Sequence, residues 1–258
     1  MGEWTAIVLA GQRPGENAFA ASHGVAAKAL IPVAGEPMLG RVARTLLAAP
    51  SIGRVLILAQ DADTLLAGSL NWLRSEPRVA TAEAGCGIST SIARVLGTAA
   101  APWPVLVTTA DHALLRPEMV EAFIAGSAGA DASFAAVERA VVEQVHPGTK
   151  RTWVKFSDGQ FSGANLFALV GEPARRAVDF WAKAERDRKK ALRLLMFFGP
   201  IIFLRAVTRT ISIDAAAAKA GRNAGLRLRA VRLPYPEAAI DVDKPADLEL
   251  VERILAGH

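Results

Sequence analysis

Cysteine is nearly absent. Cys86 stands alone in 258 residues, so no intrachain disulfide holds the fold, and a reducing, cytoplasmic setting is the expectation. With Gly85 and Gly87 on either side and no evident cation, Cys86 lacks the surroundings that activate a nucleophilic thiolate. The histidines His23, His112, His146 and His258 fall at no metal-ligand spacing, which argues against a zinc site. A spanning helix needs roughly 20 uninterrupted apolar residues. The stretch Leu194 to Leu204 is shorter, bounded by Arg193 and Arg205 and broken by Gly199-Pro200. Met1-Gly2-Glu3-Trp4 lacks the basic then apolar opening of a secretory signal. No internal repeat or low-complexity linker divides the chain.

What is present suits a single α/β domain over 1–258. Hydrophobic residues make up 52% and charged residues 21%, enough to close one core at this length. The net charge of +5 suits anionic ligands without specifying nucleic acid, and no nucleic-acid partner is expected.

Strand and helix patterns alternate, which predicts a sheet covered on both faces. Strands are expected at Trp4 to Ala10, Arg54 to Ala59, Pro104 to Ala110, Ala132 to Val137, Thr152 to Phe156, Phe161 to Leu169 and Leu226 to Leu233. Asp158-Gly159 makes a hairpin that interrupts the parallel order. Helices are expected at Met38 to Ala49, Thr64 to Leu73, Ile88 to Leu96, Pro117 to Ala125, Pro173 to Arg188, Asp214 to Ala220 and Pro245 to Leu255, and one through the apolar stretch. The fold class is three-layer α/β/α, Rossmann-like, with a mixed and mostly parallel sheet.

The first forty residues carry the chemistry. A buried strand running into Gly11-Gln12-Arg13-Pro14-Gly15 delivers backbone N–H groups to the carboxyl edge of a sheet, where phosphates bind in open α/β folds. Gly11 permits close approach, Arg13 can fork onto phosphate oxygens and Lys28 can add a point charge; the other reading is a strand-to-helix turn with solvated charges. Asp111 ends the clearest buried strand and has two readings, a Mg²⁺ ligand or a helix-capping aspartate before Pro117. In Ile240-Asp241-Val242-Asp243-Lys244-Pro245, two carboxylates at alternate positions of an extended segment point the same way. Asp243 also reads as a cap for the closing helix, and Asp247 as support for its first turn. Ser89 after Gly87 reads as a helix N-cap.

Taken in order, Leu9-Ala10-Gly11, Arg13, Lys28 and Leu30-Ile31-Pro32-Val33-Ala34-Gly35-Glu36-Pro37-Met38-Leu39 resemble the nucleotidyltransferase superfamily with the GT-A-like fold. The branch is that of molybdenum cofactor guanylyltransferases and of sugar-phosphate and polyol-phosphate pyrophosphorylases. Asp111-His112-Ala113-Leu114 stands where that family has Asp-x-Pro-Leu, without the proline, and the residues from Glu16 to Gly24 form a longer insertion. The resemblance implies Arg13 and Lys28 as catalytic cations and nucleotide contacts at Leu9, Ala10, Gly11, Gly87, Ser89 and Ser91. It implies metal ligation by Asp111 and Asp243, with Asp241 in reserve. In Phe161-Ser162-Gly163-Ala164-Asn165-Leu166-Phe167, Gly163 and Asn165 match the family's acceptor phrase, and Lys150, Arg151 and Lys155 lie just upstream to neutralise an acceptor phosphate.

The function so implied is Mg²⁺-dependent transfer of NMP from an NTP, CTP or GTP favoured, to a phosphorylated sugar, polyol or related small acceptor, with release of pyrophosphate. The alternatives are a GT-A glycosyltransferase, since Asp241-Val242-Asp243 has an Asp-x-Asp shape, and a non-catalytic nucleotide-binding regulator. Subunit pairing stays open. Peripheral membrane contact through 186–209, basic beside apolar, is weighed against burial of that segment as a helix pair.

Overall fold

The computed structural model describes residues 3–12, 17–85, 87–186 and 210–257. The segment 187–209, which includes the expected apolar helix, lies outside the described residues, as does Arg13.

Strand β1 (Trp4–Leu9) is a buried apolar run, and it lies between β4 (Ile52–Ala59) and β6 (Val105–Thr109), parallel to both. Its side chains alternate between faces. Ala6 and Val8 join a core layer with Leu39, Val42 and Leu46 of helix α2 (Met38–Ala48) and Met119, Val120 and Phe123 of α6 (Pro117–Gly126). Ile7 joins the opposite layer with Ile92 of α5 (Ile88–Val95) and Val178 of α8 (Arg175–Arg186). Both faces are therefore covered, as a parallel sheet requires. The remaining strands are β2 (Pro32–Val33) and β3 (Glu36–Pro37), a separate pair, and β5 (Val79–Glu83), β7 (Ala132–Glu138), β8 (Val154–Phe156), β9 (Gly159–Leu169) and β10 (Leu228–Arg232).

The main sheet has eight strands in the order β10-β7-β9-β6-β1-β4-β5, with β8 paired to β9 outside that path. Only β9 runs against its neighbours β6, β7 and β8, so the sheet is mixed and mostly parallel. From β1 the chain moves outward through β4 and β5, then returns to place β6 on the other side of β1. This reversal is the switch point, at the carboxyl ends of β1 and β6, the place where the crevice of open α/β sheets binds ligands.

Some boundaries differ from expectation. The single helix expected at Thr64 to Leu73 is two one-turn helices, α3 (Ala62–Leu65) and α4 (Trp72–Ser75), joined by a 3₁₀ turn at Gly68–Leu70. Gly68 lies at φ +60°, a left-handed conformation that ends a right-handed helix. Helices α1 (Ala18–Ser22) and α7 (Arg139–Val145) are additions. The alanine-rich helix α9 (Ile213–Ala224) is longer than expected and ends on Gly225 at φ +69°. The chain closes with α10 (Pro245–Leu255).

Candidate active site

Three distant segments meet at the crevice. Lys28 opens a 3₁₀ turn, Lys28–Leu30, beneath the loop that leaves β1. Its ammonium donates to Asp111 Oδ2 at 2.6 Å and to Asp243 Oδ1 at 2.5 Å. Backbone pairing ties the last two segments together, since Val242 N donates to Asp111 O at 3.1 Å. Thr109 Oγ1 donates to Asp111 Oδ1 at 2.5 Å, which orients that carboxylate from within its own strand end. Burial opposes the charge on Lys28, but the attraction and hydrogen bonds of Asp111 and Asp243 outweigh it, and the pKa rises above its ordinary value.

Neither aspartate caps a helix. Arg116 occupies the N-cap of α6 and Lys244 that of α10, and neither offers a side-chain cap. Asp247 Oδ2 instead accepts from Asp243 N at 3.1 Å, satisfying a donor just before α10. The Asp243 side chain, 63% exposed, is thereby left to face Lys28.

Asp241 has other partners. Arg151 reaches it through two nitrogens, Nη1 to Oδ1 at 2.6 Å and Nη2 to the backbone O at 2.9 Å. Asn165 Nδ2 donates to Oδ2 at 2.9 Å. Asn165 lies at φ +48°, a region Asn tolerates better than most residues. Around it β9 bulges. Phe134 pairs with Phe167 whereas Ala136 pairs with Gly163, so β9 spends extra residues there and re-aims its side chains. Pairing of β9 with β6 stops at Phe167 and Val107, which parts the two strands before Asp111. Burial raises the Asp241 pKa, Arg151 opposes the rise, and Asp243 and Asp111 add to it. The two carboxylates of the Asp-x-Asp phrase thus answer to different partners.

The remaining expected residues are placed as follows. Gly11 is exposed, and a Cβ there would meet the Gln60 amide at 3.0 Å. Gln60, just past the end of β4, clamps the β1 loop at two points: Gln12 N donates to its Oε1 at 2.9 Å and its Nε2 donates to Gln12 O at 3.0 Å. Sequence reasoning missed Gln60; its place just after the buried run of β4 was legible, but that β4 lies beside β1 was not. Ala10, Gln12, Ala26, Gln60, Asp61 and Thr64 line a cavity of about 150 Å³ beside this clamp. The N-cap of α5 is Gly87 rather than Ser89. Ser91 accepts from Gly85 N at 2.8 Å and donates to Gly87 O at 2.6 Å, pinning both ends of that loop. Ser89 is buried. Leu9 is half-buried at the end of β1. Gly163, Lys150 and Lys155 are exposed, the last on β8.

His112, next to Asp111, is fully buried, and burial pulls its pKa down to about 4 although Asp111 works the other way. His146 Nε2 and Glu237 Oε1, 2.9 Å apart, tie α7 to the 3₁₀ turn that leads into Asp241.

Among the described residues no group of three or more carboxylate, histidine or cysteine side chains is arranged to hold a metal, and no helix is long and apolar enough to cross a membrane. What the crevice does offer is two carboxylate oxygens converging on one cation, the Lys28 ammonium. Hard oxygen donors around a stand-in cation fit Mg²⁺.

A doubly wound sheet with a glycine-bearing loop after β1 and charged side chains at its switch point has the layout in which open α/β proteins place their ligands. The MobA-like NTP transferase domain matches residues 6–191, and the chain belongs to that family. It is similar over 95% of its length, at 30% identity and a TM-score of 0.79, to a hypothetical transferase from Thermus thermophilus, of which 98% is covered. It also resembles the 4-diphosphocytidyl-2C-methyl-D-erythritol synthase of Anaerococcus prevotii at 10% identity and TM-score 0.58, covering 99% of this chain and 96% of that one. A CMP:2-keto-3-deoxy-manno-octonic acid synthetase complexed with CTP gives 15% identity, TM-score 0.58 and 98% coverage of both chains. The last two likenesses concern the fold. No curated protein sequence matches.

Proposed function

We propose that this protein transfers a nucleoside monophosphate from an NTP, CTP or GTP favoured, to the phosphate of a small sugar, polyol or related acceptor and releases pyrophosphate. The observation that carries the reading is the meeting of Lys28, Asp111 and Asp243 at the sheet's switch point. The synthetase of similar fold that is complexed with CTP supports CTP as the donor.

On this reading the loop from Leu9 to Arg13 receives the triphosphate, and Gly87, Ser89 and Ser91 shape the nucleoside end. Lys28, held charged by its partners, stabilises the negative charge that develops at the α-phosphate. Asp111 and Asp243 are the residues that would hold Mg²⁺, which when bound neutralises phosphate oxygens. An acceptor phosphate oxygen forms the new bond to the α-phosphorus while the bond to the bridging α–β oxygen breaks, and pyrophosphate carries away the electron pair. A phosphate monoester, with a second pKa of about 6, is mostly dianionic near neutrality, so no general base is required.

The Arg151 guanidinium is committed to Asp241. Its part at the acceptor end is therefore to present Asp241, beside Asn165 and Gly163, to acceptor hydroxyls. Lys150 and Lys155, both exposed, are left to neutralise the acceptor phosphate.

The test is pyrophosphate release with each of the four NTPs, Mg²⁺ and a panel of sugar and polyol phosphates. Lys28→Ala and Asp111→Asn are each expected to lower kcat/KM at least about 100-fold, in the range lost when one transition-state donor is removed. Unchanged turnover in both variants would refute the site. Transfer from a nucleotide sugar without pyrophosphate would refute the reaction.

A further inference from the structure

We propose that Lys28 is a resident counter-cation: it keeps the divalent-metal position closed in the free protein and gives it up only when a polyphosphate offers its ammonium other oxygens. The inference rests on the nucleotidyl-transfer reading and adds an order of events to it.

Geometry comes first. The 2.6 Å and 2.5 Å bonds laid end to end put Asp111 Oδ2 and Asp243 Oδ1 no more than about 5 Å apart, with the ammonium between them. Mg²⁺ binds carboxylate oxygen at about 2.0–2.1 Å, so an ion bridging the same two oxygens competes for the space that Lys28 Nζ fills. Charge sharpens the competition. A divalent ion added beside Lys28 would place two cations in contact at the same two carboxylates, where their mutual repulsion opposes joint occupancy.

The arrangement is also built to release. Thr109 holds the other oxygen of Asp111, so this carboxylate stays oriented when the lysine leaves. Asp243 has 63% of its side chain exposed and re-solvates readily. Lysine suits the exchange because its ammonium is a compact charge on a flexible stem, with three rotatable donors that phosphate oxygens can accept. Triphosphate supplies the negative charge that lets ammonium and metal coexist, so metal and nucleotide bind together and metal alone binds weakly.

The experiment titrates the full chain with Mn²⁺ alone, reading free Mn²⁺ by electron paramagnetic resonance. Lys28→Met is expected to bind one Mn²⁺ at least tenfold more tightly than wild type. Lys28→Arg, which keeps the charge, is expected to remain as weak as wild type. Adding Asp111→Asn to Lys28→Met is expected to abolish the gain. Mn²⁺ is further expected to raise the Tm of Lys28→Met but not of wild type at the same concentration. If Lys28→Met does not fold, Lys28→Gln is measured in its place. A neutral variant that binds Mn²⁺ no more tightly than wild type overturns the proposal, as does a gain that survives Asp111→Asn. No nucleotide is used here, so a wild type that releases no pyrophosphate from any NTP overturns the reaction without altering this result.

Discussion

Arg151→Met removes a guanidinium but keeps a long apolar stem, and it strands the carboxylate of Asp241. In the native pair the two charged groups lie 2.6 Å apart, with side chains 10% and 23% exposed, and the second guanidinium nitrogen also serves the Asp241 carbonyl oxygen. Removing one partner of a buried pair costs about 3–5 kcal/mol. The bond from Asn165 survives and Asp241 is partly exposed, so the expected loss is about 2–4 kcal/mol at pH 7.5. The pH dependence identifies the cause. Burial already lifts the Asp241 pKa above 3.8, with Arg151 the main opposing influence, and the variant raises it further. A carboxyl group whose pKa is raised on folding contributes stability that is fully present below the unfolded value and is lost as pH rises through the folded one. The deficit of the variant should therefore shrink between pH 7.5 and pH 5. Urea unfolding of wild type, Arg151→Met, Asp241→Asn and the double variant at both pH values measures it. The double variant, which has no stranded charge, is expected to regain at least about 1 kcal/mol over Arg151→Met. A deficit that does not change with pH, together with a coupling below about 0.5 kcal/mol, would refute the reasoning.

Two further outcomes are expected. Ser91→Ala, which unpins Gly85 and Gly87, should cost about 1–2 kcal/mol in urea unfolding and raise KM for the NTP more than it lowers kcat. His112 is neutral in the fold with a pKa near 4 against an ordinary 6.5. Its contribution is therefore present above pH 6.5 and lost as pH falls toward 4, up to about 3 kcal/mol. Thermal melts from pH 7 to 4.5 should show a flatter acid slope for His112→Gln.

The centre of the sheet was legible because β1, β4 and β6 are short, buried apolar runs, and such runs declare themselves locally. The edge strand β5, mostly exposed or half-buried, was not expected. The expected helix at Thr64 to Leu73 failed for an equally local reason, the left-handed Gly68, which apolar periodicity does not report. Within the site, Lys28 and Asp111 could be singled out because each borders a strand or loop whose position in the sheet follows from its pattern. Gln60 could not, since its importance comes from β4 lying beside β1, a matter of strand order.

The sequence by itself determined the layered α/β class, the glycine-bearing loop after β1 and the carboxylate at the end of β6, all consequences of burial pattern and chain direction. Tertiary structure alone decided what the polar side chains do to one another. Asp241 and Asp243 are two residues apart, yet one is taken by Arg151 and Asn165, distant by 90 and 76 residues, and the other by Lys28, distant by 215. Hydrogen bonds and ion pairs act over a few ångströms and are indifferent to separation along the chain, so only the folded path of the backbone assigns those partners.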